Sequence, residues 1–192
     1  MQATAPRVEP PVSPARRRLL ETATRLFYAE GIHAVGIDRI IAEAGVAKAT
    51  FYKHFPSKDA LVVAYVEEID RLGREAVAAL SARSPRAMIA VIMGRIGEAA
   101  VAGDYRGCPF LNAAAEYPDP AGPVRRAVNA RRGWYQETLR ELLVADGDPA
   151  PGITAALLVA VSDGLLESAY LDDRDDIAAL VREGLARVLA PR

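Results

Sequence analysis

Apolar residues recur every three to four positions along most of this chain, the spacing of helices with one buried face. Leu19, Leu20, Ala23, Leu26 and Phe27 form the first such stripe, with Ser13 placed as N-cap, Pro14 at the first helical position and Gly31 as the stop. A short second helix carries Ile37, Ile40, Ile41 and Ala44 on one face and ends at Gly45. A third, Ala47 to His54, buries Phe51 and turns most of its other residues the opposite way. Ser57 caps a long fourth helix, with Asp59 in its first turn and Leu61, Val62, Tyr65, Val66, Ile69 and Leu72 along its stripe to about Leu80. After a break at residues 81–85, Ser84 and Pro85 start a fifth, through Met88, Ile89, Val91, Ile92 and Ile96 to about Ala102.

Residues 103–107 read as a loop, and 108–120 as a short helix cut off by Pro118 and Pro120. Pro123 opens a seventh helix, through Val124, Val128, Trp134, Leu139, Leu142 and Leu143. Residues 147–151 form a turn. Two further helices run from about Ile153 to Leu171 and from about Asp175 to Leu189. No segment alternates with the period of a strand, so the expected fold is all-α, with about nine helices.

The second and third helices, joined by a glycine-containing turn, follow the grammar of a helix-turn-helix. The third offers Lys48, Ala49, Thr50, Tyr52, Lys53 and His54 in near succession. A protein core does not need that mixture of cation, hydroxyl, phenol and imidazole, whereas a DNA major groove can use all of it. The segment from Arg17 to about Tyr65 resembles the DNA-binding domain of the tetracycline-repressor (TetR) family of bacterial regulators. The likeness rests on Ala29-Glu30-Gly31-Ile32, Ile40-Ile41-Ala42-Glu43-Ala44-Gly45-Val46, Thr50-Phe51-Tyr52-Lys53-His54-Phe55 and Ser57-Lys58-Asp59-Ala60-Leu61. One position departs from the family pattern. Ala47 stands where a serine or threonine usually caps the recognition helix, a loss of ~0.5–2 kcal/mol if nothing replaces it.

Charge sharpens the division of the chain. The net charge is −1. From Ala15 to Lys58, however, eight cations (Arg16, Arg17, Arg18, Arg25, Arg39, Lys48, Lys53, Lys58) face four anions (Glu21, Glu30, Asp38, Glu43), a surplus of +4. Arg7 and Glu9 cancel, so everything after Lys58 sums to −5. A basic head on an acidic remainder suits a DNA-facing module carried by a domain that does not face DNA. The expected organisation is therefore a disordered, proline-rich arm over 1–12, a three-helix DNA-binding domain over 13–58, a linking helix over 59–80, and a C-terminal ligand-binding and dimerisation domain over 81–192. Apolar residues make up 51% and aromatics 6% of the chain, which favours an aliphatic helical core.

The single cysteine, Cys108, permits no disulfide within the chain and agrees with a reducing cytoplasm. No run reads as a membrane span, and the N-terminus has no apolar signal core, so a cytoplasmic, nucleoid-associated bacterial protein is expected.

The eighth helix is apolar nearly all round, and a domain this small has little interior to bury it in. A symmetric partner would supply the missing surface, so a homodimer is expected, with the last two helices of each copy forming a four-helix interface. The family resemblance implies the same. The alternative is a central helix of a monomeric bundle.

The resemblance also assigns roles. Lys48, Ala49, Thr50 and Lys53 become candidates for base edges, and Thr50, Tyr52, His54 and Lys58 for phosphates. Arg17, in the first turn of the first helix, is a further phosphate candidate or else part of a solvated face. Two reading heads about 34–36 Å apart would then require a near-palindromic operator. The resemblance further implies a pocket for a small-molecule effector in the C-terminal domain. Cys108, Phe110, Asn112, Tyr117, Trp134 and Tyr135 gather polar handles around the broken helix, while Asp163 and Glu167 lie one turn apart in an apolar one. A buried carboxylate there needs either an arginine, such as Arg131 or Arg132, or a cationic ligand.

The expected function is a ligand-responsive transcriptional regulator, a repressor released by its inducer. A protein binding DNA without sequence preference and an enzyme with an accessory DNA module are the competing readings. Two histidines and one cysteine are too few for most metal sites, and no phosphate loop or nucleophile elbow is present, so no catalytic residue, metal or cofactor is assigned.

Overall fold

A computed structural model describes residues 13–100, 104–172 and 176–190, the side chain of Ala100 excepted. Among them are nine helices and no strand: α1 (Pro14–Glu30), α2 (Ile37–Ala44), α3 (Lys48–His54), α4 (Lys58–Ala78), α5 (Pro85–Ala100), α6 (Pro109–Glu116), α7 (Pro123–Asp146), α8 (Pro151–Leu171) and α9 (Ile177–Val188). Two compact units divide the chain at Leu61 and Val62, so α4 begins in the first and continues in the second. The expected N-terminal arm, the end of the fifth helix at Ala102 and the start of the ninth at Asp175 lie outside the described residues.

The first unit is held by the apolar stripes of its helices. Leu19, Ala23, Leu26 and Phe27 of α1 meet Ile40 and Ala44 of α2 and Phe51 of α3, with Ile32, Val35, Phe55 and Leu61 closing the core. Gly45 adopts φ 63 and ψ 43, the left-handed conformation that ends α2, and the Val46 amide donates back to the Ile41 carbonyl at 3.3 Å. A Cβ at Gly45 would meet nothing within 4 Å, so the requirement for glycine is conformational rather than spatial. Ala47 occupies the N-cap of α3 with no side-chain hydrogen bond to its first turn. Ser13 corrects the expectation made of it. It precedes α1 in N-cap position, but its hydroxyl does not cap the helix.

The second unit is a helical bundle. Ile89, Met93 and Ile96 of α5, Leu139 and Leu143 of α7, Leu158 and Val159 of α8, and Ile177, Val181 and Leu185 of α9 form its core. Proline opens α5, α6, α7 and α8, where its missing N–H would be unpaired in any case. The Ser57 and Ser84 hydroxyls accept from the amides of Ala60 and Ala87, at 3.1 and 3.2 Å, as helix caps. Close helix approach is enforced at Gly97, where a Cβ would lie 3.3 Å from the Cα of Ala178.

Two expectations are corrected here. Leu72, placed on the buried stripe of α4, is 51% exposed. The chain does contain a helix long and apolar enough to cross a membrane, α8. Its Thr154 and Ser162 are buried within the bundle and its Asp163 is ion-paired, as in a core helix. It is nevertheless incompletely covered: Ile153 is 61%, Leu157 44% and Leu171 72% exposed.

Two substitutions test the local grammar of the head. Gly45→Ala should lower unfolding free energy by about 1–2 kcal/mol, the cost of a left-handed residue with a Cβ. Ala47→Ser should raise it by about 0.5–2 kcal/mol by supplying the missing cap. Urea denaturation followed by circular dichroism measures both, and a neutral Gly45→Ala would show that the turn does not need its observed conformation.

Candidate functional site

The first candidate surface is α3. Of its seven residues only Phe51 is buried; its ring packs edge-on against Tyr52 and tilted against Phe55, with centroids 5.2 and 6.1 Å away. That single anchor sets the helix rotation. Lys48, Ala49, Tyr52 and Lys53 project to solvent, and Thr50 and His54 are half-buried.

The surrounding charges are partly committed to one another. Lys48 Nζ lies 3.0 Å from Asp38 Oδ1, and that hydrogen bond to a carboxylate raises the lysine pKa. Arg39 bridges Glu30 and Glu43, at 2.5 and 2.9 Å, while Arg25 takes the second oxygen of Glu43 at 2.6 Å. These arginines hold both glutamates below the usual carboxylate range.

The phosphate candidates are less uniform than their sequence suggests. His54 is not the exposed aromatic body expected. Its Nε2 lies 3.3 Å from Ser13 Oγ, in a hydrogen bond whose donor depends on the imidazole tautomer. Lys58, half-buried, donates to the His33 carbonyl at 3.5 Å. Arg17 is exposed, whereas its neighbours are engaged: Arg16 lies over the Phe55 ring at 5.1 Å, and Arg18 Nε donates to the Ala44 carbonyl at 3.3 Å.

The second candidate site is a cavity of about 360 Å³ within the second unit, walled by α4, α5, α6, α7 and α8. Four of the expected effector residues line it: Cys108, Phe110, Tyr135 and Asp163. Asn112, Tyr117, Trp134 and Glu167 are not among the residues that line it. Asn112 Nδ2 donates instead to the Arg106 carbonyl at 2.8 Å. Arg74 and Arg131 each lie over the Trp134 ring, 4.7 Å from its centroid. Glu167 Oε1 is buried without a hydrogen-bond partner, beside Gly107. Asp163 has an arginine rather than a waiting cationic ligand, since Arg132 Nη2 lies 2.5 Å from its Oδ2.

The polar lining is sparse. Tyr135 Oη lies 3.2 Å from Ser162 Oγ and 3.3 Å from Met93 Sδ, and Ser162 donates to the Leu158 carbonyl at 2.8 Å. Burial pushes the Tyr135 phenol and the Cys108 thiol up, so the thiolate required of a redox sensor is disfavoured.

Sequence reasoning gave Arg131 only a secondary role, as a partner for a carboxylate of α8. Its side chain is 18% exposed and its guanidinium lies among the rings of Phe110, Trp134 and Tyr135, at 5.3, 4.7 and 5.1 Å. Burial lowers its pKa and the nearby Asp70 opposes that shift. The available signal was its place on the same face of α7 as Val128 and Tyr135, a cation in an apolar stripe.

Both units match known proteins. Residues 19–65 match the family profile "Bacterial regulatory proteins, tetR family", and residues 85–185 match "Tetracyclin repressor-like, C-terminal domain". The HTH-type transcriptional regulator LmrA of Bacillus subtilis is 30% identical over 135 residues, 66% of this chain and 72% of that protein. An HTH-type transcriptional regulator of Mycobacterium tuberculosis, Rv1255c, is 44% identical over 62 residues, about a third of either chain (32% and 31%). The crystal structure of SCO4454, a TetR-family transcriptional regulator from Streptomyces coelicolor, superposes with a TM-score of 0.87 at 45% identity, covering 92% of this chain and 94% of that one. That of sav143 from Streptomyces avermitilis gives 0.84 at 31% identity, covering 92% and 96%. A helix-turn-helix, a helical bundle lining a cavity, and matches to both family profiles together place this chain in the TetR family of helix-turn-helix transcriptional regulators.

Proposed function

We propose that this regulator is a repressor that binds a near-palindromic operator as a homodimer and is released by a small molecule entering the cavity of the second unit. The observation that carries the DNA reading is the outward face of α3, where Lys48, Ala49, Tyr52 and Lys53 share the solvent side around a single buried ring. Lys48 and Lys53 would donate to base edges, with the Ala49 and Thr50 methyls against thymine. Tyr52, His54, Lys58 and Arg17 would hold phosphates and fix the docking angle. Lys48 must exchange Asp38 for a base. The pair is exposed, so that exchange costs little.

The dimer reading rests on α8. Ile153, Ala156, Leu157, Ala160 and Gly164 form an exposed, uncharged strip along one face of the helix, the pattern of a self-complementary surface. The effector reading rests on the cavity, whose size and mostly apolar walls fit a small organic molecule. Release would follow if ligand selects a dimer whose heads no longer match the operator spacing.

A gel-shift titration on the protein's own promoter, with unrelated competitor DNA and varied salt, tests the proposal against binding without sequence preference. Equal affinity for both DNAs at physiological salt would eliminate the repressor. Within a specific complex, Lys48→Ala should relax preference at one operator position by about 1–3 kcal/mol. Tyr52→Phe or Lys58→Ala should weaken all sequences alike, and Lys58→Ala should also flatten the salt dependence. Leu157→Glu should convert the dimer to a monomer in sedimentation velocity and abolish operator binding at the same protein concentration. An unchanged sedimentation coefficient would remove α8 from the interface.

A further inference from the structure

The cavity has a sign. Its charged lining is Arg95, Arg131, Arg132 and Asp163, three cations to one anion. Arg132 is neutralised by Asp163 at 2.5 Å, and Arg95 turns to Glu98 at 2.9 Å on an exposed face. Arg131 is different. Asp70 is its nearest carboxylate, with Oδ1 3.4 Å from Arg131 Nε, but that contact has no hydrogen-bond geometry. The better-placed claimant on Asp70 is Arg74, which holds its Oδ2 from Nε at 2.9 Å and from Nη2 at 2.8 Å. Two guanidiniums thus share one carboxylate, leaving one positive charge beside the cavity. Arg131 Nε and Nη1 are buried and donate to nothing. Buried polar groups are normally satisfied, and an unsatisfied charged donor costs more than a neutral one. Three aromatic rings lie within 5.3 Å of the guanidinium, while Ile92, Val159 and Leu166 supply apolar wall to the cavity.

We infer that the cavity takes an apolar organic monoanion, a carboxylate on a ring or branched hydrocarbon body, with the carboxylate on Arg131 and the body against Phe110, Tyr135, Val159 and Leu166. A monoanion neutralises the surplus charge of the Arg74, Asp70 and Arg131 cluster, and the planar guanidinium fork matches a carboxylate. A cationic ligand meets repulsion from Arg131 and finds Asp163 already engaged. This deepens the effector reading above and rests on it for its regulatory meaning, although binding itself is independent of any effect on DNA.

The test uses the purified full chain and three probes with one two-ring body: 2-naphthoate, 2-naphthamide and protonated 2-naphthylmethylamine. Isothermal titration should show naphthoate binding about tenfold to a hundredfold tighter than the amide, the range of a charge-assisted hydrogen bond, and the amine weakest. Arg131→Met should bring naphthoate down to the amide. Asp70→Asn, which removes the competing carboxylate, should tighten naphthoate and leave the amide unchanged, a gain that loss of folding cannot produce. Equal affinities for acid and amide in the native chain, preference for the amine, no binding by any probe, or an Asp70→Asn variant without gain would each overturn the inference. Gel shift with the same probes separates it from the effector reading. Arg131-dependent naphthoate binding that leaves the DNA complex intact keeps the anion site and removes the inducer role. Release of DNA by the amide alone keeps the inducer role and removes the anion site.

Discussion

The outward face of α3 depends on the burial of one ring. α3 is too short to be stable alone and has no side-chain cap, so its conformation is imposed by packing. Phe51 is the only residue it commits to the core, and at 100° per residue that choice fixes where the other side chains point. Rotating α3 by one position would bury Tyr52 or Thr50 and present Phe51 to water. The left-handed turn at Gly45 serves the same constraint, delivering the chain from α2 at the angle that lets Phe51 reach the core of α1.

Electrostatics then divides the head's cations into two groups. Arg25 and Arg39 are occupied by Glu30 and Glu43, which tie α1 to α2. These pairs are exposed, so they contribute little to stability, but they remove two of the head's cations from its outward charge. Lys53 and Arg17 remain on the surface, and Lys48 is held by Asp38 alone. An exposed ion pair on this surface is a reversible partner: its energy is small and it is screened by salt.

The helices and the head were legible in the sequence because period, caps and breakers are local. Pro14, Pro85 and Pro123 open helices as their position predicts, and Ser57 and Ser84 cap as expected. Ser13 makes no cap and instead meets His54, 41 residues away, a contact that no local rule reports. The cavity was legible by half for a similar reason. Val128, Arg131, Arg132 and Tyr135 share one face of α7, while Trp134, one residue from Tyr135, turns about 100° away. Composition suggested both aromatics, and only the face separates them. Arg131 gains its meaning from Asp70 and Phe110, which are remote in sequence, so its surplus charge could not be read from α7 alone.

α8 joins the two properties of the second unit. Val159, Ser162, Asp163 and Leu166 form one wall of the cavity. Ile153, Leu157, Ala160 and Gly164 lie on the exposed side of the same helix. A helix is stiff along its axis, so a ligand that displaces its inner face by a fraction of an ångström displaces the outer face too. The Arg132–Asp163 pair fastens that wall to α7, the helix that carries Arg131. A buried guanidinium without hydrogen bonds is a poor stabiliser, and an apolar side chain of similar size would pack there at less cost. Its position makes physical sense if the missing acceptor arrives from outside: the ligand then relieves a cost built into α7, the helix that the Arg132–Asp163 pair joins to α8 and its uncovered apolar face.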